Sequence, residues 1–178
     1  NNHLSGKFNS GDNFLKLEQY KQIINNQSYL CVLFDGSLIR VSYTIKNNCI
    51  IGHNLLWWPA PYKYSGVSLE DVPPNQMLSD FLEDDKWYEN IEMRSPVRID
   101  YDPRETVVSA THPPVHMHIE HRDCRMFIEK PMCFNSFINL IFSNFYPECK
   151  IYLDPNDYIS FEINDDYEYV EGLTKIVC

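Results

Sequence analysis

The sequence has no C-x-x-C pair, no secretory-type apolar core near its start, and no apolar run approaching the roughly 18–20 residues that cross a bilayer as a helix. The first absence argues against a zinc ribbon or a thioredoxin-like redox motif. The other two argue against a secreted or membrane-spanning chain. Basic residues are also scarce: 15 Lys and Arg stand against 25 Asp and Glu, for a net charge of −10. A plain nucleic-acid-binding module is therefore not expected, because phosphate contacts demand a basic footprint. The basic residues are scattered, and their closest grouping is Arg94, Arg98, Arg104, Arg122 and Arg125. Nucleic acid is thus expected only as a substrate met by a local basic patch. Six cysteines are dispersed at Cys31, Cys49, Cys124, Cys133, Cys149 and Cys178. Their density is far below that of a disulfide scaffold, so reduced thiols and a cytoplasmic location are expected.

What is present is a globular composition. Apolar residues make up 44% of 178 residues and aromatics 14%, which excludes a disordered or low-complexity chain. That length suits one core. Residues 1–12 are rich in Asn, Gly and Ser and read as a flexible segment, and 13–178 as a single domain.

Along the chain, Phe14, Leu17, Tyr20 and Ile24 have helical spacing, which predicts a helix over 13–26. The apolar run 29–34 reads as a strand, and Asp35-Gly36 is a hairpin signal. Residues 37–45 alternate as a second strand, Asn47-Asn48 makes a turn, and Cys49 to Trp58 reads as a third strand stopped by Pro59 and Pro61. Residues 59–75 read as loop. Residues 76–89 suit a helix with Met77, Phe81 and Leu82 inward. Strands follow at 97–102 and 115–121, with 124–129 as the continuation or partner of the latter. Phe134, Phe137, Ile138, Ile141, Phe142 and Phe145 form one stripe of a core-facing helix over 134–146, ended by Pro147. Two short strands, 150–153 and 158–163, close the chain. Antiparallel runs with segregated helices make the class α+β: a mostly antiparallel sheet of about six to eight strands, with the 134–146 helix packed on one face.

The motifs YLCVLFDGSLIRVSY (29–43), LLWWPAPY (55–62), PVRIDYD (96–102), THPPVHMHIEHRDCRMFIEKP (111–131) and FINLIFSNFYP (137–147) together resemble a bacterial protein family catalogued as domain of unknown function 2290. The resemblance implies a prokaryotic intracellular protein and carries no activity, so no catalytic role is taken from it.

The chemistry-bearing feature is a histidine cluster. His112, His116, His118 and His121 account for four of the six histidines. Alternation puts Val115, Met117 and Ile119 on one strand face and His116, His118 and Glu120 on the other. In 97–102 it separates Val97, Ile99 and Tyr101 from Arg98, Asp100 and Asp102. If the strands pair with apolar faces together, one sheet surface carries Arg98, Asp100, Asp102, His116, His118 and Glu120. Three readings stand open. The surface can be merely solvated. His116 and His118 can act as acid and base, with Asp100 and Asp102 as orienters and Arg98 as an anion clamp. Or His116 and His118 can hold a divalent metal, completed from Asp100, Asp102, His112, His121 or Cys124. The histidine-triad hydrolase pattern fails at Glu120 and the cupin pattern lacks its later residues, so neither family is supported.

Asp35 is explained by its turn. The aromatic–proline segment 57–64, with Trp57, Trp58, Tyr62 and Tyr64, suits either core packing or a partner-binding or base-stacking surface. Cys124, near Arg122 and Arg125, is either a buried strand cysteine or an activated thiol. Two functions are expected from these features. The first is an intracellular hydrolase or nuclease-like toxin or defence effector acting on a phosphate ester or nucleic acid. The second is a non-enzymatic interaction subunit of a defence or toxin–antitoxin type system, meeting a protein partner through the 57–64 loop.

Overall fold

A computed structural model describes residues 17–62, 72–84, 89, 91–104, 108–120 and 123–149, and the backbone of 162–163. Helix α1 spans Leu17–Asn25, strand β1 Cys31–Val32, β2 Leu38–Lys46, β3 Cys49–Trp58, helix α2 Pro74–Glu83, β4 Val97–Tyr101, β5 Val115–Ile119, β6 Met126–Phe127, helix α3 Phe134–Phe145 and β7 Glu162–Ile163. Strands β1 to β6 lie side by side in chain order, and the six form an antiparallel sheet. Strand β7 pairs in parallel with the start of β3, Cys49 opposite Glu162 and Ile50 opposite Ile163. The fold is α+β.

Local chemistry sets these boundaries. Gly36 adopts a φ of +82°, which side chains resist, and its N–H donates to the Leu33 carbonyl at 2.8 Å. The Asp35 carboxylate accepts from the Ser37 N–H, so the turn is held from both sides. Within the apolar run 29–34 only Cys31–Val32 is strand, and Phe34 already belongs to the turn. Asn47 and Asn48 both adopt positive φ, as a tight hairpin requires, and connect β2 to β3. Helix α2 starts two residues earlier than the periodicity suggests because Pro74 occupies its first turn, where a missing N–H costs nothing. It stops at Glu83, since Asp84 is extended. Residues 124–129 are the partner of β5, not its continuation, with His116 opposite Phe127 and Met117 opposite Met126. Residues 13–16 of the expected first helix, Phe14 among them, and most of both C-terminal strands lie outside the described residues.

Contacts divide the chain into two compact units. One is centred on Tyr20, Ile23 and Ile24 of α1, Leu38, Leu56, Trp58, Ala60, Tyr62 and Leu78. Helices α1 and α2 pack together there. Trp57 and Trp58 are buried, as is Tyr62, which stacks on Phe81 at 4.5 Å. Tyr64 lies outside the described residues. The other unit has a cluster of Ile50, Tyr101 and Val115, flanked by Tyr43 and Ile128.

Helix α3 buries Phe137, Ile138 and Ile141. The expected stripe is only half-buried at Phe134 and Phe142 and fails at its far end, where Phe145 is 42% exposed. Tyr146 takes the core place instead, its ring 5.1 Å from that of Phe142. Cys31, Cys49, Cys124, Cys133 and Cys149 are free thiols. Among the described residues no helix is long and apolar enough to cross a membrane.

Candidate functional site

Strands β4 and β5 are neighbours, and the Asp102 N–H donates to the Pro114 carbonyl at 2.8 Å. Stepping by two residues along this antiparallel register sets Asp100 opposite His116 and Arg98 opposite His118. Alternation along β4 holds as expected: Val97, Ile99 and Tyr101 are buried, and Arg98 and Asp100 are half-buried. Strand β5 departs from it. His116 and His118 are each only 2% exposed, so their face is covered rather than solvated. Covering two imidazoles is costly unless each finds partners.

His116 has them. Its Nδ1 lies 2.8 Å from the Pro113 carbonyl oxygen. A carbonyl only accepts, so Nδ1 carries the hydrogen and donates. The other nitrogen, Nε2, faces the Asp100 carboxylate, 3.8 Å from Oδ2. Asn54 on β3 donates its side-chain N–H to the other carboxylate oxygen of Asp100 and fixes its orientation. In the neutral tautomer, the Nε2 lone pair and Oδ2 are two acceptors directed at common ground. Asp100, His116 and His118 each offer one ligand atom, and the three atoms lie within 4.8 Å of one another.

The remaining sequence-expected residues fall elsewhere. Asp102 follows the end of β4 and is gripped by the Arg104 guanidinium, which holds its carboxyl below the usual carboxylate range. Its carboxylate pairs with Arg104 and is not part of the Asp100, His116 and His118 cluster. Glu120 leaves the face as well: a φ of +67° ends β5, and its side chain is exposed. The His112 ring lies edge-on to His116 with centroids 4.7 Å apart, but His112 is not part of the ligand cluster. His121 lies outside the described residues. Cys124 is half-buried and also outside the cluster. Asp35, read from the sequence as a turn residue, additionally pairs with Arg94 at 3.2 Å.

Sequence reasoning passed over Asn54, the Pro113 carbonyl and His53. Asn54 follows His53 inside an otherwise apolar strand, with no local motif to mark it. His53 differs in kind from His116. The Met132 N–H donates to its Nε2 at 3.0 Å, and its Nδ1 sits 3.3 Å from the Ile99 carbonyl oxygen. Both nitrogens are engaged by backbone, and burial pushes its pKa down to about 4. His53 is a neutral structural group, tying β3 to β4 and to the segment before α3.

The family model described as "Uncharacterized conserved protein (DUF2290)" matches residues 2–168. The chain belongs to that family. No curated protein and no solved structure matches it. Membership in the DUF2290 family accounts for the motifs from 29 to 147 and leaves the chemistry to the strands themselves.

Proposed function

We propose that Asp100, His116 and His118 hold a divalent metal ion and that the protein is a metal-dependent hydrolase of phosphate esters. The observation that carries this is the pair of contacts at His116, Nδ1 to the Pro113 carbonyl and Nε2 toward Asp100. With Nδ1 donating to the Pro113 carbonyl, a neutral His116 presents the Nε2 lone pair toward Asp100 Oδ2 across 3.8 Å. Ligand bonds of about 2.0–2.2 Å allow one ion to touch both atoms. An imidazole whose second nitrogen donates to a backbone carbonyl, beside a carboxylate oriented by an amide, is the outer-shell arrangement that metal-binding histidines use. His118, two residues further along β5 on the same face, supplies the third ligand.

Two imidazoles and one carboxylate suit zinc or another first-row divalent ion, and three protein ligands leave a position for water or substrate. The ion would lower the pKa of a bound water and polarise a phosphoryl oxygen. Arg98, half-buried on the same face of β4, would hold the anionic group of the substrate.

Elemental analysis of purified protein tests this first. About one zinc, iron or manganese ion per chain is expected, falling to background in His118→Ala. Protein that stays metal-free after dialysis against each of these ions overturns the reading.

A further inference from the structure

His53 and Asn54 are consecutive on β3, so their side chains leave opposite faces of the strand. Asn54 donates to the Asp100 carboxylate. His53 reaches the backbone of the same stretch of β4, its Nδ1 3.3 Å from the Ile99 carbonyl oxygen. That carbonyl is part of the planar peptide unit joining Ile99 to Asp100. Two consecutive residues of one strand therefore hold the side chain of Asp100 and the peptide unit from which it projects. A further contact sets the direction of the hydrogen. The Met132 N–H donates to His53 Nε2 at 3.0 Å, so Nε2 is the acceptor and Nδ1 carries the hydrogen that the Ile99 carbonyl receives. Tyr43 in turn donates its hydroxyl to the Met132 carbonyl at 3.1 Å. The His53 ring is buried against those of Tyr43 and Tyr101, with centroids 5.8 and 5.7 Å away. All of these residues belong to the same compact unit.

We infer that His53 is a positioning residue for Asp100, pinning the peptide unit that carries this metal ligand while Asn54 orients its carboxylate. The inference deepens the metal reading above and rests on it. A site works only when its ligands stand within about 0.5 Å and 10–20° of their productive geometry. A carboxylate moves with its own side-chain torsions and with the tilt of the peptide unit behind it. Asn54 restrains the first and His53 the second. Met132, held at its N–H by His53 and at its carbonyl by Tyr43, keeps the imidazole in the one tautomer that can donate to Ile99.

Zinc is the probe, or iron or manganese where wild type takes up only that ion, and its affinity for the full chain is measured by competition with a chelator. His53→Phe keeps a ring in the core and removes both polar contacts. It is expected to bind the ion about tenfold or more weakly than wild type, as loss of an outer-shell partner does. His53→Gln keeps a donor and an acceptor and is expected to fall between the two. It also serves if His53→Phe does not fold. Phe137→Ala is the control for stability alone: it weakens the core of the same unit and removes no hydrogen-bonding group. Folded Phe137→Ala is expected to bind the ion as wild type does. Wild-type affinity in the folded His53 variants overturns the positioning role. So does an equal loss in Phe137→Ala, because affinity would then merely follow stability. Wild-type protein that stays free of zinc, iron and manganese overturns the metal reading and this inference with it, so the two failures are distinct.

Discussion

The Nδ1 of His116 donates to the Pro113 carbonyl, and this one bond decides which nitrogen faces Asp100. Pro113 and Pro114 stand immediately before β5, where the prolines restrict the backbone and hold the carbonyl under the ring. The geometry at Nε2 is therefore set by a residue three positions upstream, not by the histidine alone.

Asn54 should matter to the metal without touching it. Its amide holds Asp100, so Asn54→Ala is expected to lower zinc affinity by roughly 10–100-fold, the usual effect of losing an outer-shell partner. Zinc titration against a competing chelator checks this. Unchanged affinity would show that Asp100 keeps its position without the amide.

His53 should make the protein acid-sensitive. Its folded pKa, about 4, lies below the 6.5 of a free imidazole. Between those values the unfolded chain binds a proton that the folded chain refuses, so stability falls as pH falls. The contribution is complete above about pH 6.5 and is lost progressively toward pH 4, to a total on the order of 3 kcal/mol. Urea midpoints across this range should decline more steeply in wild type than in His53→Gln, which cannot take the proton. Parallel declines would remove His53 as the cause.

Helix α3 offers a contrast between two phenylalanines of one stripe. Phe137 is fully buried, so Phe137→Ala should cost about 3–5 kcal/mol. Phe145, at 42% exposure, should tolerate alanine with a loss within about 1 kcal/mol. Denaturant titration of both variants is the check, and similar losses would contradict the burial difference.

Gly36 should be intolerant of a side chain. Its φ is +82°, and an added Cβ would lie 3.1 Å from the Ala60 Cβ. Gly36→Ala is expected to destabilise by about 1–2 kcal/mol from the backbone conformation, and more from the contact with Ala60. Thermal melting measures it. A variant as stable as wild type would mean that the turn relaxes freely.

Much of the fold was legible in local pattern. Strand β3 has the boundaries its apolar run suggests, because Asn47-Asn48 and Pro59 punctuate both ends. Strand β4 alternates as written, because one of its faces meets a core. The apolar run 29–34 misled because hydrophobicity does not reveal that Leu33 to Ser37 spend their backbone hydrogen bonds on a turn. Phe145 misled because periodicity says which way a residue points, not how far the core extends along the helix.

For the candidate site, the sequence by itself determined that Arg98 and Asp100 share one strand face and His116 and His118 another, since side chains in a strand alternate with period two. It equally placed Asp102 and Glu120 there, and alternation cannot say where a strand stops. Arg104, two residues along the chain, takes Asp102 locally. Only the tertiary structure decided that Asn54 from another strand orients Asp100 and that both histidines are buried. Those outcomes depend on which strands become neighbours and in what register. They arise from contacts between residues far apart in the chain, which no local pattern encodes.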